Sequence, residues 1–195
     1  MNARRRTYSM RSRRASVEST RARIRDAAEA LFYERWYDDV TIADIADGAG
    51  VSGQTVLNHF GGKEQLFLAV IEKAAGEIRS RRAQSQPGDI GAAVETIVDD
   101  YEITGDAVIR LLALEERLPV VRPAMATGRV LHREWVDAMF ATPEATPELM
   151  VATDVYTWKL LRRDQGLTRD ETVASMRRLV DAVLRHAHDT PRRTA

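Results

Sequence analysis

Residues 41–65 combine small, turn-forming and amide side chains at a spacing that suits a helix–turn–helix. This motif needs a small residue where its two helices cross, a glycine in the tight turn, and a branched residue on the second helix. Ala46, Gly50 and Val56 provide these residue types at relative positions 0, +4 and +10. The spacing therefore predicts two short helices that pack at a fixed angle. The alternative is a set of helices that merely pack together.

The outer face of the second helix carries the groups that could bind a ligand. A carboxamide pairs a hydrogen-bond donor with an acceptor, which matches the edge of adenine in the major groove. Ser52 is placed to cap this helix, so that partial positive charge points outward from the helix N-terminus. Gly53 has no side chain and would contribute only close backbone approach. We predict that base edges or phosphates are contacted by Ser52, Gly53, Gln54, Thr55 and Asn58.

The elements that must position these residues follow from the apolar periodicity, which is helical along the chain. No segment shows the alternation of a strand, so we expect an all-α fold. The predicted helices cover about 20–35, 42–49, 52–59, 63–84, 90–103, 106–117, 121–140, 147–165 and 169–188. The Ser-Gln-Pro-Gly-Asp segment at 85–89 predicts a linker between a helix–turn–helix domain (20–84) and a larger helical domain (90–190). Thr168 and Glu171 form a capping-box pattern before the last helix.

The charge of the chain is unevenly distributed. The 195 residues contain 29 basic and 29 acidic side chains, but residues 1–25 hold nine arginines and one glutamate. Because residues 1–19 have few apolar side chains, we predict a disordered basic arm there. This arm would neutralise phosphates or place an arginine in a minor groove. A solvated tail without a partner is the alternative.

The composition excludes several classes of site. Without cysteine the chain can form no disulfide, iron–sulfur cluster or Cys-ligated zinc site, and it has no thiol nucleophile. No apolar run reaches the length of a membrane span. We predict no catalytic residue, no metal and no cofactor, and we expect a cytoplasmic protein without a membrane partner.

Residues 20–80 resemble the N-terminal domain of the TetR family of bacterial transcriptional regulators. The resemblance rests on Thr41, the Ile-Ala-x-x-Ala-Gly-Val-Ser core, and Asn58-His59-Phe60 leading into Lys63-Glu64. It implies that Thr41 and Lys63 hold phosphates and that His59 reaches the DNA backbone. The family usually has a tyrosine where this chain has Leu57, and leucine cannot donate to a phosphate. Three arginines of or near the arm would compensate, namely Arg13, Arg14 and Arg21.

The resemblance also implies a C-terminal domain that dimerises and binds an inducer. Large apolar and polar residues of the middle helices are the candidates for a small, hydrophobic or aromatic effector. These candidates are Tyr101, Leu112, Glu115, Met125, His132, Trp135, Met139 and Phe140. Apolar stripes on the last two helices predict a homodimer interface. Its residues would be Val155, Trp158, Leu161, Met176, Leu179, Val180 and Val183. For both sets the alternative is an ordinary core.

These observations favour a transcriptional regulator that represses a pseudo-palindromic operator in double-stranded DNA and is released by the effector. A second hypothesis is a nucleoid-type protein that binds DNA of any sequence through the basic arm. A third is an all-α enzyme that uses Glu115 or Glu116 and His132 as acid and base. No motif supports the third hypothesis, because the sequence contains no phosphate-binding loop, nucleophile elbow or HExxH motif.

Overall fold

The computed structural model describes the backbone of residues 2–189 and the side chains of residues 14–189. All of its regular structure is helical, which confirms the all-α prediction. The helices are α1 (Asn2–Glu34), α2 (Ile42–Ala49), α3 (Gly53–Phe60), α4 (Lys63–Arg82), α5 (Ile90–Leu114), α6 (Arg122–Phe140), α7 (Thr146–Ala152), α8 (Val155–Lys159) and α9 (Arg169–Asp189). Within residues 2–189, no helix is both long and apolar enough to span a membrane.

The first helix begins earlier than the sequence predicted. The backbone of residues 2–19, predicted to be a disordered arm, forms the first part of α1. Residues 1–19 contain neither glycine nor proline and are rich in arginine, which favours a helix. The low apolar content explains why residues 14–19 are exposed, but it does not prevent helical hydrogen bonding along the backbone.

Residues 1–73 form one compact unit, in which α1 packs against α2 and α2 against α3. Three aromatic rings meet at its centre: the Phe32 and Phe67 centroids lie 4.6 Å apart, and Tyr37 lies 4.9 Å from Phe67. Aliphatic side chains from all four helices complete the core. Its buried aliphatic members are Ile24, Ala28, Val40, Ile45, Ala46, Ala49, Val56, Leu66 and Val70.

The described residues from 74 to 189 form the second compact unit, so the division falls within α4 and not at the predicted linker 85–89. The reason is a pair of contacts made by the end of α4. Arg81 and Arg82 both donate to the carboxylate of Asp100 on α5, at 2.5 and 2.7 Å. These charge-assisted bonds tie the C-terminal part of α4 to the second unit.

The predicted break between the helices at 90–103 and 106–117 is absent, because α5 continues from Ile90 to Leu114. Gly105 is buried, and a Cβ at this position would lie 2.4 Å from Cζ3 of Trp158. Trp158 itself is fully buried, and its Nε1 donates to Glu102 Oε1 at 2.9 Å. The glycine at this position therefore allows α5 to pack closely against the indole ring and does not end the helix.

The predicted helix 147–165 is interrupted between α7 and α8. Asp154 has an extended backbone, and its side chain accepts a hydrogen bond from Tyr156 N at 2.8 Å, which starts α8. After α8 the chain continues as a π-helix over Leu160–Asp164. The capping box ahead of α9 is present, since Glu171 accepts from Thr168 N at 2.8 Å and Thr168 Oγ1 accepts from Glu171 N at 3.3 Å.

Gly105→Ala is expected to lower the free energy of unfolding by about 3 kcal/mol, since the new methyl group would overlap the Trp158 ring. Urea denaturation followed by circular dichroism measures this change. Gly128→Ala is the matched control, because a Cβ at Gly128 in α6 meets no atom within 4 Å. That control should stabilise the protein by up to about 1 kcal/mol through helix propensity. Equal stability of the two variants would contradict the packing described here.

Candidate nucleic-acid interface

Thr41 starts α2 through a complete capping box. Its Oγ1 donates to Asp44 Oδ2 at 2.7 Å and accepts from Asp44 N at 3.1 Å, while Thr41 N donates to Asp44 Oδ2 at 2.9 Å. These bonds from the Thr41 hydroxyl and backbone hold the pKa of Asp44 below its usual value. Thr41 is exposed, so a phosphate contact from this position stays a prediction.

The turn between α2 and α3 has the geometry that the motif requires. Gly50 has φ 63°, a left-handed conformation that favours glycine, and its N–H contacts the carbonyls of Ala46 and Asp47. Ala46 is 2% exposed and Val56 fully buried, as expected for residues at a close helix crossing. The residues predicted to shape a helix–turn–helix therefore do so.

The predicted base-contacting residues lie together at the start and outer face of α3. Ser52 caps the helix by accepting from Thr55 N at 3.2 Å. Gln54 and Asn58 are exposed one turn apart, and Gln54 Nε2 donates to Asn58 Oδ1 at 3.0 Å. Gly53 differs from the prediction in part: it is half-buried, and a Cβ there would lie 3.7 Å from Ile42 on α2.

The arginines predicted to bind DNA have different surroundings. Arg21 lies over the Phe60 ring, 4.1 Å from its centroid, and donates to the carbonyl oxygen of His59. It thus joins α1 to the end of α3, a role that sequence spacing alone did not reveal. Arg14 is exposed on α1, whereas the side chain of Arg13 lies outside the described side chains.

Lys63 is held inside the N-terminal unit. Its Nζ donates to the carbonyl oxygens of Tyr37 and Val40 at 2.7 and 2.8 Å, and lies 4.0 Å from the centroid of the Tyr37 ring. Partial burial lowers the pKa of Lys63, against the opposing effect of Asp38 and Asp39. Lys63 therefore fixes the connection between α1 and α2. These contacts account for the position of its ammonium group, and a phosphate contact by Lys63 stays a prediction.

A buried polar cluster in the C-terminal unit surrounds His132. Arg82 Nη1 lies 3.1 Å from His132 Nδ1, and Thr153 Oγ1 lies 3.2 Å from His132 Nε2. Arginine can only donate, so Nδ1 accepts and the ring proton lies on Nε2. Thr153 Oγ1 can accept a hydrogen bond from Nε2–H, because its own hydroxyl group donates to Leu149 O at 2.8 Å. Burial, and then the Arg82 charge, lower the pKa of His132 from 6.5 to about 3.

The other predicted effector residues are mostly core residues. Tyr101, Trp135, Met139 and Phe140 belong to the hydrophobic core of the C-terminal unit, and Leu112 packs against it. Burial raises the pKa of Tyr101 to about 12. Met125 is also buried. An effector contact by any of these residues stays a prediction.

Glu115 and His132 are not brought together as an acid–base pair. Glu115 forms a bidentate ion pair with Arg129 at 2.7 and 3.0 Å, and the hydrogen bonds of Arg129 to it lower the pKa of Glu115. The His132 ring contacts Arg82 and Thr153. The geometry therefore gives no support to the enzyme hypothesis.

A surface cleft of about 510 Å³ lies beside the Asp100 cluster, and sequence reasoning did not identify it. Its lining is mainly polar and consists of Arg81, Gln84, Ser85, Gln86, Asp89, Ala92, Thr96, Asp99 and Asp100. One signal was available: Asp100 falls between Val98 and Tyr101 on the buried side of α5. A carboxylate on an apolar helix face predicts a paired cation.

The predicted dimer residues require a correction. Val155, Trp158, Met176 and Val180 are buried in the core of their own chain, so their side chains cannot form a surface for a partner. Leu161 and Val183 pack partly against the same core, and Leu179 is 45% exposed. An apolar stripe at helical spacing packs against the core of its own chain, and the apolar residues beside the stripe remain exposed. The exposed large apolar residues of α7 to α9 are Val151, Tyr156, Leu160 and Leu179.

His132 makes stability depend on pH. The pKa of His132 is about 3 in the folded protein and 6.5 in the unfolded chain. Between pH 6.5 and 3, therefore, this ring is protonated only in the unfolded state. This contribution is therefore complete above pH 6.5 and falls by about 1.4 kcal/mol per unit as the pH drops below it. His132→Gln should flatten the curve between pH 6.5 and 5 in urea denaturation, whereas exposed His186→Gln should not. Parallel curves for His132→Gln and the wild type would contradict the cluster geometry.

Comparisons with known proteins agree with the architecture. Residues 24–70 match the model of the family described as bacterial regulatory proteins, tetR family. The regulator TtgR of Pseudomonas putida is 38% identical over 63 residues, 32% of this chain and 30% of TtgR. The activator FasR of Mycolicibacterium smegmatis is 26% identical over 160 residues, 80% of this chain and 65% of FasR. These alignments therefore span less than two thirds of each relative's length.

A crystal structure of a transcriptional regulator from a Rhodococcus species has the same fold. It superposes with a TM-score of 0.73 over 88% of this chain and 99% of that one, at 16% identity. The fold agrees with the geometry of α2 and α3 and with the match to the family model. On these grounds residues 24–70 match the tetR family of bacterial regulatory proteins, and the chain has the fold of solved regulators.

Proposed function

We propose that this protein is a cytoplasmic, sequence-specific transcriptional regulator that binds double-stranded DNA through the outer face of α3. The observation that carries the proposal is the exposed Gln54–Asn58 pair, joined at 3.0 Å on a helix held by a helix–turn–helix. With Gln54 Nε2 donating to Asn58 Oδ1, Gln54 Oε1 and Asn58 Nδ2 are left to meet the donor and acceptor of adenine.

The operator would be pseudo-palindromic, because a homodimer presents two copies of α3 related by two-fold symmetry. Exposed apolar side chains on α7 to α9 support a dimer in the C-terminal unit. Tyr156, Leu160 and Leu179 are 52, 51 and 45% exposed, and a partner surface would remove them from water. This surface replaces the buried residues of the original dimer prediction.

Repression is the direction that we propose, with release by a small molecule. Several relatives are named repressors, while FasR is named an activator. An effector releases DNA only if it binds the DNA-free conformation more tightly than the DNA-bound one. The predicted apolar residues of the C-terminal unit and the polar cleft beside Asp100 are both candidate positions for it.

A binder of any DNA sequence, working through the basic first part of α1, is the second candidate. The nine arginines among residues 1–25 favour it, and Arg14 is exposed on the helix. Removal of residues 1–19 separates the two hypotheses. Specific binding should persist in weakened form if α3 reads the sequence, and should vanish if the arginines alone hold the DNA.

Gln54→Ala should relax base preference by about tenfold at one position of each half-site, since one of the two bonds to adenine and the partner that orients Asn58 would be lost. Fluorescence anisotropy with the DNA upstream of the protein's own gene, point-substituted versions and a scrambled duplex measures this. Gln65→Ala, an equal truncation of an exposed glutamine on α4, is the control that should keep the full preference. Equal wild-type affinity for the scrambled duplex at moderate salt would refute sequence-specific binding.

Lys63→Ala would not test the predicted phosphate contact cleanly. The substitution removes two hydrogen bonds that fix the α1–α2 connection, so weaker DNA binding would reflect altered structure as well as a lost charge. Gln54 and Gln65 are exposed and lie outside the α1–α2 connection, so their truncation leaves that connection intact.

A further inference from the structure

Leu57 is an exposed apolar side chain in the middle of the polar face of α3. It is 39% exposed, whereas the other large apolar residues of this helix, Val56 and Phe60, are 0 and 8% exposed. Leu57 does not serve the core of the N-terminal unit as they do. An apolar side chain on a binding face gains free energy only if its ligand offers an apolar group.

The neighbours of Leu57 specify which part of a ligand it meets. Leu57 and Asn58 follow Gln54 by three and four residues, so both side chains lie next to Gln54 on the surface of α3. The hydrogen bond between the two amides, at 3.0 Å, orients them along that face. Leu57 therefore lies beside the groups that are suited to base edges.

Double-stranded DNA offers one apolar group in its major groove, the C5-methyl of thymine. A leucine cannot donate to a phosphate, so Leu57 cannot make the backbone contact that the family resemblance gives to this position. The methyl group, in contrast, is apolar and can pack against an isobutyl side chain. An A·T pair read by the amides brings a thymine to the same stretch of groove.

We propose that Leu57 is a specificity-determining residue that contacts a thymine methyl group in each half-site, next to the bases contacted by Gln54 and Asn58. This inference rests on the proposed function, because it requires α3 to lie in the major groove. It goes beyond that function because it assigns the recognition of thymine to a side chain that cannot form hydrogen bonds.

Deoxyuridine substitution tests the contact directly. Deoxyuridine lacks the C5-methyl of thymine and keeps its base pairing and its groove acceptor. In a specifically bound duplex, each thymine of one half-site is replaced in turn, and the full-length protein is titrated by fluorescence anisotropy. The wild type should lose about fourfold in affinity at one thymine, the loss expected for one methyl-sized apolar contact.

The Leu57→Ala variant completes the test. It should bind the thymine duplex more weakly than the wild type and show equal affinity for thymine and deoxyuridine at the sensitive position. Val130→Ala, which truncates an exposed apolar residue of α6, should keep the fourfold difference. Unchanged melting temperatures establish that both variants fold.

Three results would overturn the proposal. One is a wild-type affinity that no single deoxyuridine changes. Another is a Leu57→Ala protein that keeps the same methyl dependence, because the methyl would then act through DNA shape. Absence of any duplex bound more tightly than a scrambled one would overturn the proposed function as well, which distinguishes the two failures.

Discussion

The close crossing of α2 and α3 is the constraint on which the proposed DNA-binding surface depends. Gly50 adopts φ 63° at the end of α2, and Ala46 of α2 and Val56 of α3 are 2 and 0% exposed. A residue with a Cβ at Gly50 would strain the turn, and a larger residue at Ala46 would push the helices apart. The direction of α3, and hence the position of Gln54, Leu57 and Asn58, follows from this crossing.

Contacts from outside the motif then fix the ends of its helices. Arg21 of α1 reaches the carbonyl of His59 at the end of α3, and Lys63 of α4 holds the carbonyls before α2. Both are cations of a kind that DNA-binding domains use for phosphates, yet here they satisfy backbone carbonyls and lie over aromatic rings. The net charge of zero is the sum of two parts with opposite charge. Residues 1–86 carry 15 basic and 11 acidic groups, while residues 87–195 carry 14 basic and 18 acidic groups. That distribution favours approach of DNA to the N-terminal part.

Local patterns in the sequence were sufficient for the features that depend on near neighbours. The crossing residues, the Ser52 cap and the capping box at Thr168 all rest on residues a few positions apart, and the structure contains each of them. Features set by distant residues were not predictable in this way. The pattern predicts a helix break around Gly105 because the partner of this residue, Trp158, lies 53 residues later in the chain. It predicts a dimer surface from the stripes of α8 and α9 because periodicity does not distinguish a core from an interface. Scarcity of apolar residues predicts disorder for residues 1–19, but it does not exclude a helical backbone, and α1 begins at Asn2.

The central claim is that paired copies of α3 read a DNA sequence. Selection of bound duplexes from a random pool by the purified protein tests it most directly, since no operator has to be assumed. The account predicts enrichment of one motif with two inverted half-sites, centred about 10 base pairs or a multiple of that apart. A pool that shows no enriched sequence after repeated rounds, despite binding of the protein to DNA, would contradict it.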